Sequence, residues 1–298
     1  MRLRAVDRTL ELGDGARPLV MGVLNATPDS FSDDRGARTL DDRVRQAEAL
    51  LEAGADLIDI GGESNVTNRP AVAVEEELER VVELIGRVAG ELGALVSVDT
   101  YKAPVAEAAI AAGARIVNDI SGLADPRLAD LCARTGAGLV LMHTPVAPKQ
   151  QELREDRFTD PAADVRDWLF ARWEVARAQG VADEQVILDP GPDFGKTPAQ
   201  TVAILRELPV LIALGRPVLL AVSRKDFIGA IVPRRPRERL AGTLAAIGHG
   251  ADLGGAIFRV HDVREVADFL AVRDVLRGIT ALEAGARVPD HLRREPVT

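Results

Sequence analysis

The chain has 298 residues, and its 46 acidic side chains outnumber the 37 basic ones, so its formal net charge is −9 at pH 7. This acidity argues against a protein whose main task is to bind nucleic acid or an anionic membrane surface. The single cysteine excludes an internal disulfide framework, and the composition, 47% hydrophobic, predicts a globular fold. There is no apolar run near the roughly 20 residues of a membrane span and no apolar leader, so we expect a cytoplasmic protein.

Short apolar runs alternate with longer amphipathic runs along the chain. The predicted strands cover residues 19–24, 57–60, 95–98, 116–117, 138–142, 186–188, 217–222 and 256–260. Predicted helices between them include residues 41–53, 74–92, 103–112, 161–179 and 237–252. Strands that are apolar on both faces and separated by helices predict a parallel sheet covered by helices.

Eight such units fit a (β/α)₈ TIM barrel, whose usual size is about 250 residues. An open, doubly wound sheet is the alternative, and a glycine-rich loop after the first strand would favour it. Leu24 is instead followed by Asn25, Ala26 and Thr27. No linker or shift in composition divides the chain. We therefore expect a single domain over residues 1–298, with the barrel core at about 18–278 and a C-terminal tail at 279–298.

Polar side chains follow nearly every predicted strand. In chain order they are Asn25, Asp59, Glu63, Asp99, Asn118, Asp119, His143, Asp189, Ser223, Lys225, Arg259 and His261. Because the carboxyl ends of barrel strands meet at one mouth, we expect these side chains to line a common site. Each residue taken alone could equally be a turn or capping residue.

Carboxylates and an amide form the first chemical group within this set. Asp99, Asn118 and Asp189 come from different strands and should face one pocket. Such acceptors suit a flat heterocycle that is rich in N–H donors, such as an aminopyrimidinone. The alternative is that these acids are buried and paired with arginine or lysine.

Cations and an amide form the second group. Asn25, Arg69, Arg259 and His261 suit a phosphate or diphosphate, together with Mg²⁺. All four lysines of the chain also follow predicted strands, which suggests positive charge at the mouth that attracts an anionic substrate. These lysines are Lys102, Lys149, Lys196 and Lys225.

Short motifs at successive strand ends then point to a known family. They occupy residues 22–33, 59–64, 97–100, 118–120, 141–143, 188–191, 194–197, 223–225 and 259–262. Each motif is weak alone, but nine in this order are highly specific. From about Val20 to about Val263 the chain resembles dihydropteroate synthase, a folate-pathway transferase of the pterin-binding TIM-barrel superfamily.

The resemblance implies a reaction in which 6-hydroxymethyl-7,8-dihydropterin diphosphate condenses with p-aminobenzoate and diphosphate leaves. It implies that the pterin is held by Asp99, Asn118, Met142, Asp189, Phe194 and Lys225. It assigns the diphosphate to Asn25, Arg69, Arg259 and His261, with Mg²⁺ at Asn25. Catalysis would depend on Asp99, Lys225 and Arg259. The family's mobile loops correspond to about 26–38 and 63–73, and its habit is a homodimer formed through late barrel helices.

Departures from the family pattern gather on the p-aminobenzoate side. The segment 65–71 is longer than usual, Asp193 replaces a glycine, and Asp226 replaces a residue that could receive the substrate carboxylate. The expected acceptor side comprises Ser64, Thr67, Asp193 and Asp226. A carboxylate at Asp226 would repel p-aminobenzoate unless a cation intervenes, so Asp226→Ser is expected to lower the KM. Asp226 could instead be a helix-start residue facing solvent. The departures leave open a diverged pterin-binding paralogue with another acceptor or without catalytic activity.

Overall fold

A computed structural model describes residues 1–13, 15–27, 39–64, 70–150 and 152–293 of the chain. The strands within this part are β1 (Arg2–Ala5), β2 (Arg8–Glu11), β3 (Leu19–Asn25), β4 (Leu57–Gly61), β5 (Val96–Asp99), β6 (Ile116–Asp119), β7 (Gly138–Met142), β8 (Val186–Asp189), β9 (Leu219–Leu220) and β10 (Ile257–Val260). The helices are α1 (Leu40–Glu52), α2 (Val74–Glu91), α3 (Ala103–Ala112), α4 (Arg127–Thr135), α5 (Pro161–Ala178), α6 (Pro198–Arg206), α7 (Pro209–Ile212), α8 (Asp226–Ile231), α9 (Leu240–Asp252) and α10 (Val263–Leu276).

Strands β3 to β10 form a parallel barrel, as the sequence predicts. β3 to β8 lie side by side in chain order, β10 pairs with β3, and β9 pairs with β10. A bridge between Leu188 and Val218 joins β8 to the start of the β9 segment and closes the ring. Because the strand order never reverses, the open doubly wound alternative is wrong. All the carboxyl ends therefore surround one mouth.

The outside of the barrel is covered by helices whose apolar faces repeat at helical spacing. In α2, for example, Val81, Leu84, Ile85 and Val88 are fully buried against the sheet. Several helices end at or just before a glycine with positive φ. At Gly136 the backbone is left-handed, and its N–H donates to Cys132 O at 2.9 Å, which closes α4.

An N-terminal hairpin closes the opposite end of the barrel, which the sequence analysis did not predict. β1 and β2 pair antiparallel, and Leu3, Ala5 and Leu12 pack against residues near the amino ends of the barrel strands. Leu3 and Leu57 are both fully buried in this cluster. The hairpin thus plugs the floor of the barrel and leaves the mouth as its open end. Within the described residues, no helix has the length and apolarity needed to cross a membrane.

Candidate active site at the mouth of the barrel

A guanidinium between two carboxylates forms the centre of the mouth. Arg259, in β10, donates from Nε to Asp59 Oδ2 at 2.6 Å and from Nη2 to Asp99 Oδ2 at 2.8 Å. Asn118 donates from Nδ2 to the same Asp59 oxygen at 3.0 Å. Strands β4, β5, β6 and β10 thereby bring four buried or nearly buried polar side chains into one network. The convergence predicted for Asp99, Asn118 and Arg259 is present.

Asp59 is among the polar residues predicted to line the mouth, but the sequence analysis gives it no role in binding or catalysis. It is fully buried, and its Oδ1 accepts no hydrogen bond within the described part of the chain. Burial opposes the positive charge of Arg259, but Asp59 and Asp99 outweigh it and raise the pKa of the guanidinium. The alternative interpretation for the first group, buried acids paired with arginine or lysine, describes one contact of Asp99, and Asp59 is a further buried acid paired with arginine. The sequence signal for this buried acid was its position inside the apolar run Leu57–Gly61.

Asp189 ends β8 beside Met142, its register partner at the end of β7. Both side chains are buried, and Asp189 Oδ1 accepts the backbone N–H of Gly191 at 2.7 Å. Burial raises the pKa of Asp189 to about 6, although the Gly191 N–H and the charge of Lys225 act in the opposite direction. A ligand N–H that donates to this carboxylate would stabilise its ionised form and so lower its pKa again.

Lys225 lies close to this acid and against an aromatic ring. Its Nζ is 4.4 Å from the ring centroid of Phe194, a cation–π distance. Burial lowers the pKa of Lys225, while the charges of Asp193 and Asp189 act to raise it. The predicted pterin residues from β5, β6, β7, β8 and the β9 end thus surround one region of the mouth.

Asp193 fixes the start of the helix that follows Lys225. Its Oδ2 accepts the backbone N–H of Asp226 at 2.6 Å and that of Phe227 at 3.3 Å, so it caps α8 from another loop. Its own φ is +65°, a conformation that favours glycine and that aspartate tolerates better than most residues. The side chain that replaces the family's glycine therefore stabilises α8, while its assignment to the acceptor side stays a prediction.

Asp226 is the first residue of α8, and its side chain is 77% exposed. Arg239 donates from Nη1 to Asp226 Oδ1 at 2.9 Å and also to the carbonyl oxygens of Arg224 and Lys225. The helix-start interpretation thus describes its position. A cation also stands beside the carboxylate, which offsets the repulsion that the sequence analysis expected.

His261 and Ser223 face each other at the ends of β10 and β9. Ser223 Oγ lies 3.0 Å from His261 Nδ1, and the backbone N–H of His261 donates to the same oxygen at 3.3 Å. Next to them, Arg224 and Asp262 form an ion pair through two hydrogen bonds. Burial, assisted by the charges of Arg259 and Arg224, lowers the pKa of His261 to about 3, so the imidazole is neutral at physiological pH.

A buried ion cluster organises the described ends of the loop after β4. Lys102 Nζ donates to Glu63 Oε2, Glu77 Oε2 and Val72 O, each at 2.6 Å. Lys149 donates to Ser64 O and lies 3.6 Å from Glu63. Ser64 is therefore held near this cluster. Thr67 and Arg69 lie outside the described residues, as do residues 28–38 and 65–69 of the two predicted mobile loops.

A cavity of about 490 Å³ opens beside this ion cluster. Its lining includes Tyr101, Lys102, Pro148 and Lys149 but none of the predicted pterin residues. The pterin set and this cavity are therefore separate features of the mouth.

The four lysines do not form one positive surface. Lys102 and Lys149 share a cluster with two glutamates, so their charges are matched. Lys196 is 1% exposed, and its ammonium donates to the carbonyl oxygens of His143, Gly191 and Phe194. It holds the loop after β8 in place. The expected attraction of an anion by all four lysines is therefore wrong for these three.

Asn25 ends β3, opposite Gly61 in register, at the same rim as the Arg259 network. Among the described residues, no group of three or more histidine, cysteine, aspartate or glutamate side chains could hold a metal ion. A metal held by the described residues alone would depend on amide, water and substrate oxygens.

Comparison with known proteins places this arrangement in a family. Residues 21–261 match the family described as pterin binding enzyme. The dihydropteroate synthase of Bacillus subtilis (strain 168) is 41% identical over 261 residues, which are 87% of this chain and 89% of that protein.

Two solved structures of Xanthomonas albilineans dihydropteroate synthase are also similar. The one with 4-aminobenzoic acid superposes with a TM-score of 0.84 at 39% identity and covers 95% of this chain and 100% of that one. The one in complex with 7,8-dihydropteroate has a TM-score of 0.82, the same identity and the same coverage. With its motifs at the strand ends of a closed barrel, the chain belongs to the pterin-binding enzyme family and, within it, to the dihydropteroate synthases.

Proposed function

We propose that this chain condenses 6-hydroxymethyl-7,8-dihydropterin diphosphate with p-aminobenzoate and releases diphosphate, as a transferase of folate biosynthesis. The observation that carries the proposal is the set of polar side chains around Arg259, Asp189 and Lys225 at one barrel mouth. The similar dihydropteroate synthase of Xanthomonas albilineans has been solved with 4-aminobenzoic acid and with 7,8-dihydropteroate.

The pterin ring fits the acceptors and the single donor of this set. Asp189, Asp99 and the amide oxygen of Asn118 are acceptors for the N–H groups of an aminopyrimidinone. Lys225 has only donors to offer, so it suits a ring carbonyl oxygen or a ring nitrogen. Met142 and Phe194 would supply the apolar walls. Because Asp99, Asn118, Met142 and Asp189 are buried before the ligand arrives, they lose little freedom on binding.

The diphosphate would lie on the β10 side of the mouth. Within the described part of the chain, Arg259 uses Nε and Nη2 on carboxylates, which leaves its other N–H groups for a phosphate oxygen. His261 and Asn25 would add neutral polar contacts, and Arg69 would add a second cation. The carboxylates of Asp59 and Asp99 keep Arg259 charged and fix its orientation, which preorganises the site for a leaving anion.

With the donors that the described residues provide, magnesium fits this site as an ion that arrives with the substrate. The described residues form no metal cage, and Asn25 offers one amide oxygen. Mg²⁺ ordinarily keeps several waters and binds substrate phosphates with one or two protein oxygens, so this donor set is compatible. When bound, Mg²⁺ would neutralise charge on the departing diphosphate.

The chemical step needs no nucleophilic side chain. The bond between the pterin methylene carbon and the diphosphate oxygen breaks first, and Arg259 stabilises the departing anion. The electron-rich ring and the carboxylate of Asp99 stabilise the methylene cation, while Lys225 holds the ring in register. The amine of p-aminobenzoate then forms the new carbon–nitrogen bond and loses a proton. We assign catalysis to Asp99, Lys225 and Arg259 on this basis.

The acceptor would enter past the start of α8. Asp193 and Asp226 would border that entrance, and Arg239, which bonds to Asp226, would supply positive charge beside them. Ser64 and Thr67 would border it from the loop after β4. The departures from the family pattern therefore remain compatible with p-aminobenzoate as the acceptor.

We also propose a cytoplasmic homodimer built from one pterin-binding domain per chain. Exposed apolar side chains on α10 and just after it support a subunit interface there. These are Val272, Leu276, Ile279 and Leu282, which are 37–81% exposed. Light scattering coupled to size-exclusion chromatography should give twice the mass of the chain, and Leu276→Glu should give the monomer mass.

Diphosphate release by the purified chain tests the proposed reaction. With the pterin diphosphate, p-aminobenzoate and Mg²⁺, release should depend on p-aminobenzoate and should match dihydropteroate formation mole for mole. Excess EDTA should suppress it, and added Mg²⁺ should restore it. Release that is independent of p-aminobenzoate would instead indicate another acceptor, and pterin binding without turnover would indicate a non-catalytic relative.

A further inference from the structure

The ends of β9 and β10 are joined by side chains rather than by backbone hydrogen bonds. β9 is only two residues long, and its ladder with β10 pairs Leu219 with Ile257 and Leu220 with Phe258. Ser223 and His261 bond to each other with the same sequence offset of 38 as these pairs. The ion pair between Arg224 and Asp262 also has this offset. Side chains thus continue the strand register to the rim of the mouth.

The hydrogen atoms around Ser223 can be assigned by accounting for donors and acceptors. Ser223 is 5% exposed, and its Oγ already accepts the backbone N–H of His261. In the described part of the chain, the one acceptor in contact with its hydroxyl hydrogen is His261 Nδ1. If Nδ1 carried a proton instead, the serine hydroxyl hydrogen would be nearly buried without a partner, which is costly.

We propose that Ser223 is a positioning residue that holds His261 as the neutral tautomer with its proton on Nε2. The imidazole then offers an N–H to the diphosphate of the substrate, a role that rests on the proposed function. In the opposite tautomer, Nε2 would present a lone pair to an anion and repel it. Within the described residues, the hydrogen bonds of His261 are made by Nδ1 and the backbone N–H, so none at Nε2 competes with this contact.

The charged groups around His261 agree with a neutral ring. Arg259, Arg224 and Lys225 disfavour a protonated imidazole, and Asp262 favours it. Asp262 is already paired with Arg224 at 3.0 Å and through a second hydrogen bond. Choice of tautomer, rather than ionisation, therefore decides what His261 presents to the mouth.

Nitrogen-15 spectroscopy of the imidazoles tests the assignment directly, because the chain has only four histidines. His261→Gln identifies the resonances of His261 in the full-length protein. We expect a pyridine-type shift at Nδ1 and a pyrrole-type shift at Nε2 between pH 6 and 8. Inorganic diphosphate should move the Nε2 resonance. A protonated Nδ1 in this range overturns the proposal, whether or not the protein forms dihydropteroate.

Variants of Ser223 separate a positioning role from a purely structural one. Ser223→Ala should give mixed tautomers and raise the KM for the pterin diphosphate about 5- to 10-fold, the cost of one hydrogen bond. The KM for p-aminobenzoate should stay within about twofold, because the lost contact is on the diphosphate side. Ser223→Thr keeps the hydroxyl and should restore the single tautomer and the KM.

A matched control is Ser121→Ala, which removes another buried hydroxyl hydrogen-bonded at a strand end, to Asp119 Oδ1 at 2.6 Å. It should leave the His261 spectrum unchanged. An unchanged tautomer in Ser223→Ala, or equal effects of both alanine variants on that spectrum, would overturn the proposal. If Ser223→Ala does not fold, the wild-type spectrum and Ser223→Thr still decide the question.

Discussion

At Asp189, the stability of the free protein and the binding of a ligand make opposite demands. The carboxylate is buried at the end of β8, and its ordinary charge is costly there, which is why its pKa rises to about 6. The backbone N–H of Gly191 compensates only in part. A donor-rich heterocycle would supply the missing hydrogen bonds. Such a conflict is typical of a functional residue rather than of a structural one.

Asp189→Asn is therefore expected to stabilise the free protein and to damage its activity. The acid has a raised pKa in the folded state, so its ionisation costs stability as the pH rises from about 4 to about 6. The amide removes this cost, so above pH 6 the variant should gain roughly 1–3 kcal/mol of unfolding free energy. Below pH 4 the gain should vanish. Urea denaturation at pH 3.5 and 7.5 measures it, and equal stabilities at pH 7.5 would contradict the argument.

The same substitution tests the role of the carboxylate in binding. In the wild type, kcat/KM for the pterin diphosphate should fall as the pH decreases through about 6, because the acceptor becomes protonated. Asp189→Asn should lower kcat/KM about 10- to 100-fold at neutral pH and abolish this inflection. A variant that retains the inflection would assign it to another group.

Residues with local signals were predictable, and residues whose partners are distant in sequence were not. Asp99, Asn118 and Asp189 stand at strand ends in the sequence and at the mouth in the structure. In the sequence, Asp193 could be recognised only as a replacement of the family's glycine. Its capping role could not be predicted, because the helix start that it caps lies 33 residues away. Ser223 was recognised at a strand end, but its partner His261 depends on barrel closure.

Among the elements, the N-terminal hairpin shows how the barrel floor is closed. Leu3 and Ala5 face the strands, and no residue of the run 2–11 is a glycine or an asparagine that would signal a tight turn. The turn instead uses Val6 with φ +58°, held by a hydrogen bond to Gly136 O at 2.8 Å. This tertiary support explains why the sequence pattern did not predict the hairpin.

Leu3→Ala should show that the floor of the barrel contributes to stability but not to substrate binding at the mouth. Removing a fully buried leucine should lower the free energy of unfolding by about 2–5 kcal/mol. The KM values should not change, because the floor and the mouth lie at opposite ends of the strands. Denaturant unfolding and steady-state kinetics measure the two effects. Leu153→Ala, at a side chain that is 51% exposed, is the control and should have little effect on either.

The start of α8 is the element that bears on the acceptor. Asp193 caps it, Asp226 begins it, and Arg239 neutralises Asp226 while it also holds two carbonyl oxygens of the preceding turn. Because Arg239 already offsets the carboxylate, Asp226→Ser alone should lower the KM for p-aminobenzoate only slightly.

Arg239→Met should reveal the repulsion between Asp226 and the carboxylate of p-aminobenzoate, because it removes the cation that neutralises Asp226. With Asp226 no longer neutralised, the KM for p-aminobenzoate should rise about 3- to 10-fold, a typical electrostatic coupling between neighbouring charges. The KM for the pterin diphosphate should change less. The double variant Arg239→Met/Asp226→Ser should recover most of the loss. If the double variant is as impaired as Arg239→Met, the carboxylate is not the cause.

At the scale of the whole molecule, the sequence predicted the architecture well because barrel rules are local and repetitive. Every predicted strand is present, and the predicted helices agree to within a few residues. The strand predicted at 217–222 is shorter, at Leu219–Leu220, because side-chain bonds replace the ladder beyond it. The closure of the barrel, the hairpin at its floor and the ion cluster of Lys102 depend on contacts between residues that are far apart in sequence. No local sequence pattern specifies such contacts.

The barrel thus brings acids, amides and cations from separate strands to one rim, and recognition of the pterin is the function that depends on this convergence. Calorimetric titration of the full-length protein with 6-hydroxymethylpterin measures it most directly. The wild type should bind the pterin. Asn118→Ala, which removes a network member, should weaken binding about 10-fold or more. Asp125→Asn, at a neighbouring acid paired with Arg127, should bind like the wild type. Equal affinities for all three proteins, or no binding by the wild type, would contradict the account.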